Sequence, residues 1–144
     1  MTTSYHCKYF ELHELVPPVI FRKYELRPDL LWQKFDVDLL RDIDHLRELF
    51  GICTINDWFW HGHYRFSGCR PFDCPEGADL SDHKCWNAFD LKFEDTKSDI
   101  VRKYIIKHQE DFPGIFVMEI ETRWLHIAKR NWNKKDNGIL LIKP

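Results

Sequence analysis

Residues 115–129 read Ile115-Phe116-Val117-Met118-Glu119-Ile120-Glu121, then Thr122-Arg123, then Trp124-Leu125-His126-Ile127-Ala128-Lys129. Successive side chains on a strand point to opposite faces, so alternation separates a buried face from an open one. In the first run Phe116, Met118 and Ile120 are expected on the core face, with Glu119 and Glu121 opposite. In the second, Leu125 and Ile127 form the core face and Trp124, His126 and Ala128 the other. Thr122-Arg123 is the expected turn between two neighbouring strands. A third run, Ile139 to Ile142, follows a turn over Asn131 to Gly138 that carries Asn137-Gly138. Three consecutive strands at the end of the chain predict an antiparallel sheet with helices packed on one face, an α+β fold.

Upstream, Asn87 to Phe93 reads as another strand, with Phe89, Leu91 and Phe93 towards the core and Ala88 and Asp90 away from it. The spacing of Leu39, Leu40, Ile43, Leu46 and Phe50 predicts a helix over Val37 to Phe50, with Asp36 as its cap and Gly51 at its end. A second helix is expected from Thr96, with Asp99 as a capping-box-like partner and Ile100, Val101, Tyr104 and Ile105 as its apolar stripe, stopped by Pro113-Gly114. Tyr9 to Tyr24 reads as a short helical turn cut off by Pro17-Pro18, Asp29 to Phe35 as a short helix after Pro28, and Ile52 to Asn56 as a strand. Asp57 to Leu80 shows no period. It holds two Trp, two His, Arg70 and two Cys, and a loop of that length in a compact domain is often functional.

The 144 residues suggest one domain, 1–144, large enough to bury a core without disulfide staples. The formal charge of −2 argues against a broad nucleic-acid or anionic-membrane surface. No apolar run approaches the roughly 20 residues that span a bilayer, so no membrane insertion is expected. The start, MTTSYHCKYFELHELVPP, lacks the basic and apolar regions of a signal peptide. Five cysteines, an odd number, then favour reduced thiols in a cytoplasm.

If the strands are neighbours, Asp90, His126, Glu119 and Glu121 share the non-core face, and His83, seven residues before Asp90, can fold over it. Two imidazoles and a carboxylate with an open fourth position suit a catalytic zinc ion, and polar sheet-face residues bonded to one another are the simpler alternative. Cys69, Cys74, His83 and Cys85, with His61 and His63 nearby, are a rival ligand set, but the C-x4-C-x8-H-x-C spacing matches no common zinc pattern.

The run Ser81-Asp82-His83-Lys84-Cys85-Trp86-Asn87-Ala88-Phe89-Asp90 resembles the pattern S-x-H-x-x-G-x-A-x-D of the zinc D-alanyl-D-alanine carboxypeptidases and L-alanyl-D-glutamate endopeptidases. That family includes phage endolysins and shares its fold with Hedgehog signalling domains. Trp124-Leu125-His126 resembles its W-x-H segment, and Ser67-Gly68-Cys69-Arg70-Pro71 its S-G-x-R segment. Phe10 to Val16 and the helix ending in Phe50-Gly51 also look like the small phage members. The matches fall in the family's order and cover most of the chain.

The resemblance implies His83, Asp90 and His126 as ligands of one zinc ion. It implies Arg70 as the cation that grips a substrate carboxylate or steadies an oxyanion, with Ser81 and Trp124 as substrate contacts. It also implies a Hedgehog-type fold, peptidoglycan peptide as the substrate, and a place in the cytoplasm of an infected bacterial cell or in a virion among other virion proteins. Three positions depart from the pattern. Trp86 replaces its glycine, so extended backbone and a bulkier cleft wall are expected there. Arg123 stands where many members carry the catalytic acid, which leaves Glu119, then Glu121, as the candidate general base. Ala128 stands where an Asp is common. These departures motivate a second reading, a phage structural or wall-binding module that keeps the metal without turnover. A third is a Hedgehog-like partner-binding domain using the aromatic loop Trp58 to Tyr64.

Overall fold

The computed structural model describes residues 4–144. Helices α1 (Pro18–Lys23), α2 (Pro28–Trp32) and α3 (Val37–Phe50) precede strand β1 (Cys53–Thr54). Strand β2 (Ala88–Phe93) follows the long irregular segment, then helix α4 (Ser98–Lys107), strands β3 (Val117–Glu119) and β4 (Leu125–Ala128), helix α5 (Lys134–Asn137) and strand β5 (Leu140–Ile142). Single 3-10 turns occur at Leu12–Glu14, Trp58–Trp60, Asp82–Cys85 and Gln109–Asp111. The five strands form one sheet in the order β1-β2-β4-β3-β5.

The α+β class and the helix over Val37–Phe50 are as expected, down to the Asp36 cap, whose carboxylate accepts from the Leu39 N–H at 3.1 Å. The sheet is mixed rather than antiparallel, because β5 runs parallel to β3. The chain between β3 and β5 passes through β4 and then α5, which occupies the expected turn, and this double passage brings β5 back in the direction of β3. Pro17 and Pro18 start α1 rather than ending a helix: Pro18 is its first residue, where a missing N–H costs nothing. Helix α4 begins at Ser98 behind Lys97, without a side-chain cap, and Asp99 pairs with Arg102 instead.

One face of the sheet packs Phe89, Leu91, Met118, Leu125 and Ile127 against Leu39, Leu40, Ile43 and Leu46 of α3 and Val101 and Ile105 of α4. The other face carries a small apolar floor of Ala88, Val117 and Ala128, with Phe116, Leu140 and Ile142 against it. Phe116 therefore lies with the second cluster, contrary to its expected place in the main core. Strand β3 starts only at Val117, so the alternation that holds for Met118 and Glu119 does not extend back to Phe116. At the other end Glu121 leaves the strand altogether. Its backbone is left-handed (φ 64°), and its exposed carboxylate lies 3.9 Å from Lys143.

Candidate metal centre

Beyond the apolar floor, the same open face carries Asp90 of β2 directly opposite His126 of β4. His126 Nδ1 lies 2.8 Å from Asp90 Oδ1. His83 reaches the pair from the Asp82–Cys85 turn, with Nε2 3.3 Å from the same oxygen. One donor atom from each of the three residues falls within 4.8 Å of the others, and this is the one such group among the described residues. His83 and His126 are buried, and the Asp90 side chain is 14% exposed.

Local structure fixes each donor. Ser81 caps the turn, its hydroxyl accepting from the His83 N–H at 3.3 Å. His83 Nδ1 lies 2.8 Å from the Gly68 carbonyl, which can only accept, so Nδ1 carries a proton and Nε2 is the atom turned to the cluster. Gly68 is a glycine because a Cβ there would meet the Leu15 carbonyl oxygen at 2.1 Å. Its segment is stitched in place by Cys69 N–H to Leu15 (2.8 Å) and Asp90 N–H to Ser67 (2.7 Å). Burial alone would raise the Asp90 carboxyl. Hydrogen bonds and charge from His126 and His83 prevail and hold it well below the usual carboxylate range. It is therefore an anion ready to meet a cation.

This donor set fits a divalent metal. Two imidazole nitrogens and a carboxylate oxygen converge, one imidazole is oriented by a backbone carbonyl, and the two histidine–carboxylate separations, 2.8 and 3.3 Å, are close to the edges of a tetrahedron with bonds of about 2.0–2.1 Å. The cysteine alternative is not assembled. Cys69 and Cys74 are buried apart from the histidine donors, Cys85 is exposed, and burial pushes the Cys69 thiol up, against the thiolate a metal needs.

Glu119 joins the centre, its Oε1 3.8 Å from His126 Nδ1, whereas Glu121 does not. Arg70 points its Nη2 at Asp90 Oδ2 (3.7 Å) while its Nε donates to the Phe66 carbonyl at 2.7 Å. Gly77, at φ +79°, makes room for the guanidinium, since a Cβ there would sit 2.5 Å from Arg70 Nη1. Ser81, Trp124, Glu119 and the three donors line a cleft of about 290 Å³. A larger one of about 550 Å³ shares Arg70, Asp90 and Trp124 with it. A still larger groove of about 690 Å³, lined by Trp132, Phe116 and Lys134 among others, shares no residue with the centre.

Trp86 corrects another expectation. Its backbone is left-handed (φ 63°, ψ 23°) rather than extended, the conformation a glycine adopts freely. Its ring packs edge-on against Phe35 at 4.9 Å and lines neither cleft.

Arg102 belongs to the site although no sequence motif marks it. It is 4% exposed, and it clamps the connection between β3 and β4. Its guanidinium donates to the carbonyls of Glu119 (3.0 Å), Thr122 (2.6 Å) and Trp124 (2.8 Å), and pairs with Asp99. It thereby sets the two ends from which Glu119 and Trp124 enter the cleft. Three of its acceptors are main-chain carbonyls, which leave no signature in a sequence.

No helix among the described residues is long and apolar enough to cross a membrane. Comparison with family models, with curated proteins and with solved structures returns no match to this chain.

Proposed function

We propose that the chain is a zinc-dependent peptidase that cleaves the peptide stems of peptidoglycan. The observation that carries this reading is the convergence of His83, Asp90 and His126, with Glu119 beside them, in the lining of one cleft. The ordered resemblance of residues 67–71, 81–90 and 124–126 to the peptidase family supplies the substrate class. Zinc held by the three side chains would provide a water of lowered pKa and a Lewis acid for the scissile carbonyl. Glu119, 3.8 Å from His126 Nδ1, would take the proton from an attacking water and return it to the leaving amine. Arg70 offers a planar pair of donors to a substrate carboxylate or to the developing oxyanion. Trp124, 40% exposed at the junction of the two clefts, gives the peptide an apolar wall. The test is incubation of the purified chain with muropeptides of several wall types, with and without chelator. Chelator-sensitive release of stem-peptide fragments is expected, and its absence across all wall types contradicts the reading.

One observation favours a second reading, a metal-holding module without turnover. Ala128 belongs to the apolar floor with Ala88 and Val117, so no carboxylate stands behind His126 from that position. Stoichiometric zinc with no cleavage of any muropeptide selects it.

A further inference from the structure

The larger cleft extends from the metal centre towards the β1 edge of the sheet, where Lys92 of β2 lies opposite Thr54. Four cations line it, Arg65, Arg70, Lys92 and Arg123, against the acidic Glu76 and Asp90. Asp90 is committed to the two histidines and to Arg70. Lys92 is built in: its ammonium donates to the Ile55 carbonyl (2.6 Å) and the Ser67 hydroxyl (2.7 Å) and sits 3.7 Å over the Tyr64 ring. Arg65 and Arg123 are exposed, and neither has an ion-pair partner among the described residues. The smaller cleft lacks this surplus, because its outer cation, Arg130, is already paired with Asp82 at 2.6 Å. The two arms meeting at the metal centre thus differ in charge. A low-dielectric wall with unpaired cations raises the local concentration of anions.

We propose that the arm lined by Arg65, Lys92 and Arg123 is an anion subsite, separate from the position Arg70 serves, which takes an acidic side chain or free carboxylate of a bound peptide. An acidic peptide then lies with its carboxylate-bearing residue towards β1 and its less charged part towards Ser81. This deepens the peptidase reading by naming a substrate class and a direction, and it rests on that reading only for the identity of the bound chain as a peptide.

The experiment is fluorescence anisotropy with the full chain and labelled Ala-Glu-Glu-Ala or Ala-Gln-Gln-Ala, with blocked termini, with and without added zinc. The acidic probe is expected to bind roughly tenfold more tightly, an advantage that shrinks between about 50 and about 300 mM salt. In the surface variant Arg65→Gln/Arg123→Gln, which leaves Arg70, Lys92 and the metal ligands in place, the advantage is expected to fall to within about twofold. Equal binding of the two probes, or an undiminished advantage in the variant, overturns the subsite. Binding is read without turnover, so the preference survives if the chain cleaves nothing. Conversely, cleavage of muropeptides without this preference would remove the subsite and leave the peptidase.

Discussion

Asp90 and His126 face each other across β2 and β4 with Asp90 Oδ1 2.8 Å from His126 Nδ1, and the Glu119 carboxylate stands 3.8 Å from that same nitrogen. The base candidate is thus beside a donor atom of the metal centre. Glu119→Gln is expected to lower kcat on muropeptides by about 10²–10⁴-fold with metal content unchanged. Glu121→Gln, at the exposed turn with Lys143, is expected to stay within about twofold. The reverse order, read from steady-state kinetics of the two variants, contradicts the assignment.

The left-handed turn at Trp86 sets up a second comparison. Trp86→Ala and Trp86→Gly both lose the contact with Phe35, but only glycine adopts the required φ without strain. Both are expected to be destabilised, with the glycine variant the more stable by about 1 kcal/mol. Denaturant melts of the pair check this, and an alanine variant as stable as the glycine one would show that the turn is not left-handed.

How much was legible follows from whether a signal is local. The bounds of α3 could be read because its stripe, cap and stop all lie within its own residues. Asp90 and His126 could be placed on one face because alternation survives wherever the strands are paired. The direction of β5 depends on how two intervening elements pass, and no residue in Leu140–Ile142 encodes it. Phe116 and Glu121 depart from the alternation for a related reason: strand pairing begins at Val117 and ends at Glu119. His83 lies outside any strand, so only its nearness to Asp90 in the chain and the resemblance point to it. The structure brings it in through the Gly68 carbonyl, a main-chain contact that alternation cannot reveal.

Arg102 gathers three carbonyls of the β3–β4 connection, so its removal leaves part-buried acceptors unpaired. Arg102→Met is expected to cost about 2–4 kcal/mol in stability. Arg102→Lys, which keeps the charge but loses the fork, should recover only part of it. Thermal melts report the cost. In conditions where Arg102→Lys is folded, kcat is expected to fall more than zinc affinity, and equal losses would mean a general loosening instead.

Asp42 carries the clearest pH dependence. Burial outweighs the N–H donors of Gly114 and Ile115 and the charge of Lys134, and pushes the carboxyl up to about 7 from 3.8. Between those values an unfolded chain releases the proton and the folded chain keeps it. The stabilising contribution is therefore full below about pH 4 and is lost as pH rises through about 7. Asp42→Asn keeps an acceptor for Gly114 and removes the titration. Its stability relative to the parent is expected to rise from pH 4 to 7 and then level off, by at most roughly 4 kcal/mol. Urea melts across that range check it, and a difference that does not change with pH contradicts the shift.

The central claim is that His83, Asp90 and His126 hold one metal ion, and X-ray absorption at the zinc edge on the reconstituted full chain tests it most directly. The account predicts one zinc per chain with a shell of nitrogen and oxygen at about 2.0–2.2 Å, no sulfur, and loss of the bound ion in His126→Ala. No stoichiometric zinc, or a sulfur shell near about 2.3 Å from the cysteines, would contradict it.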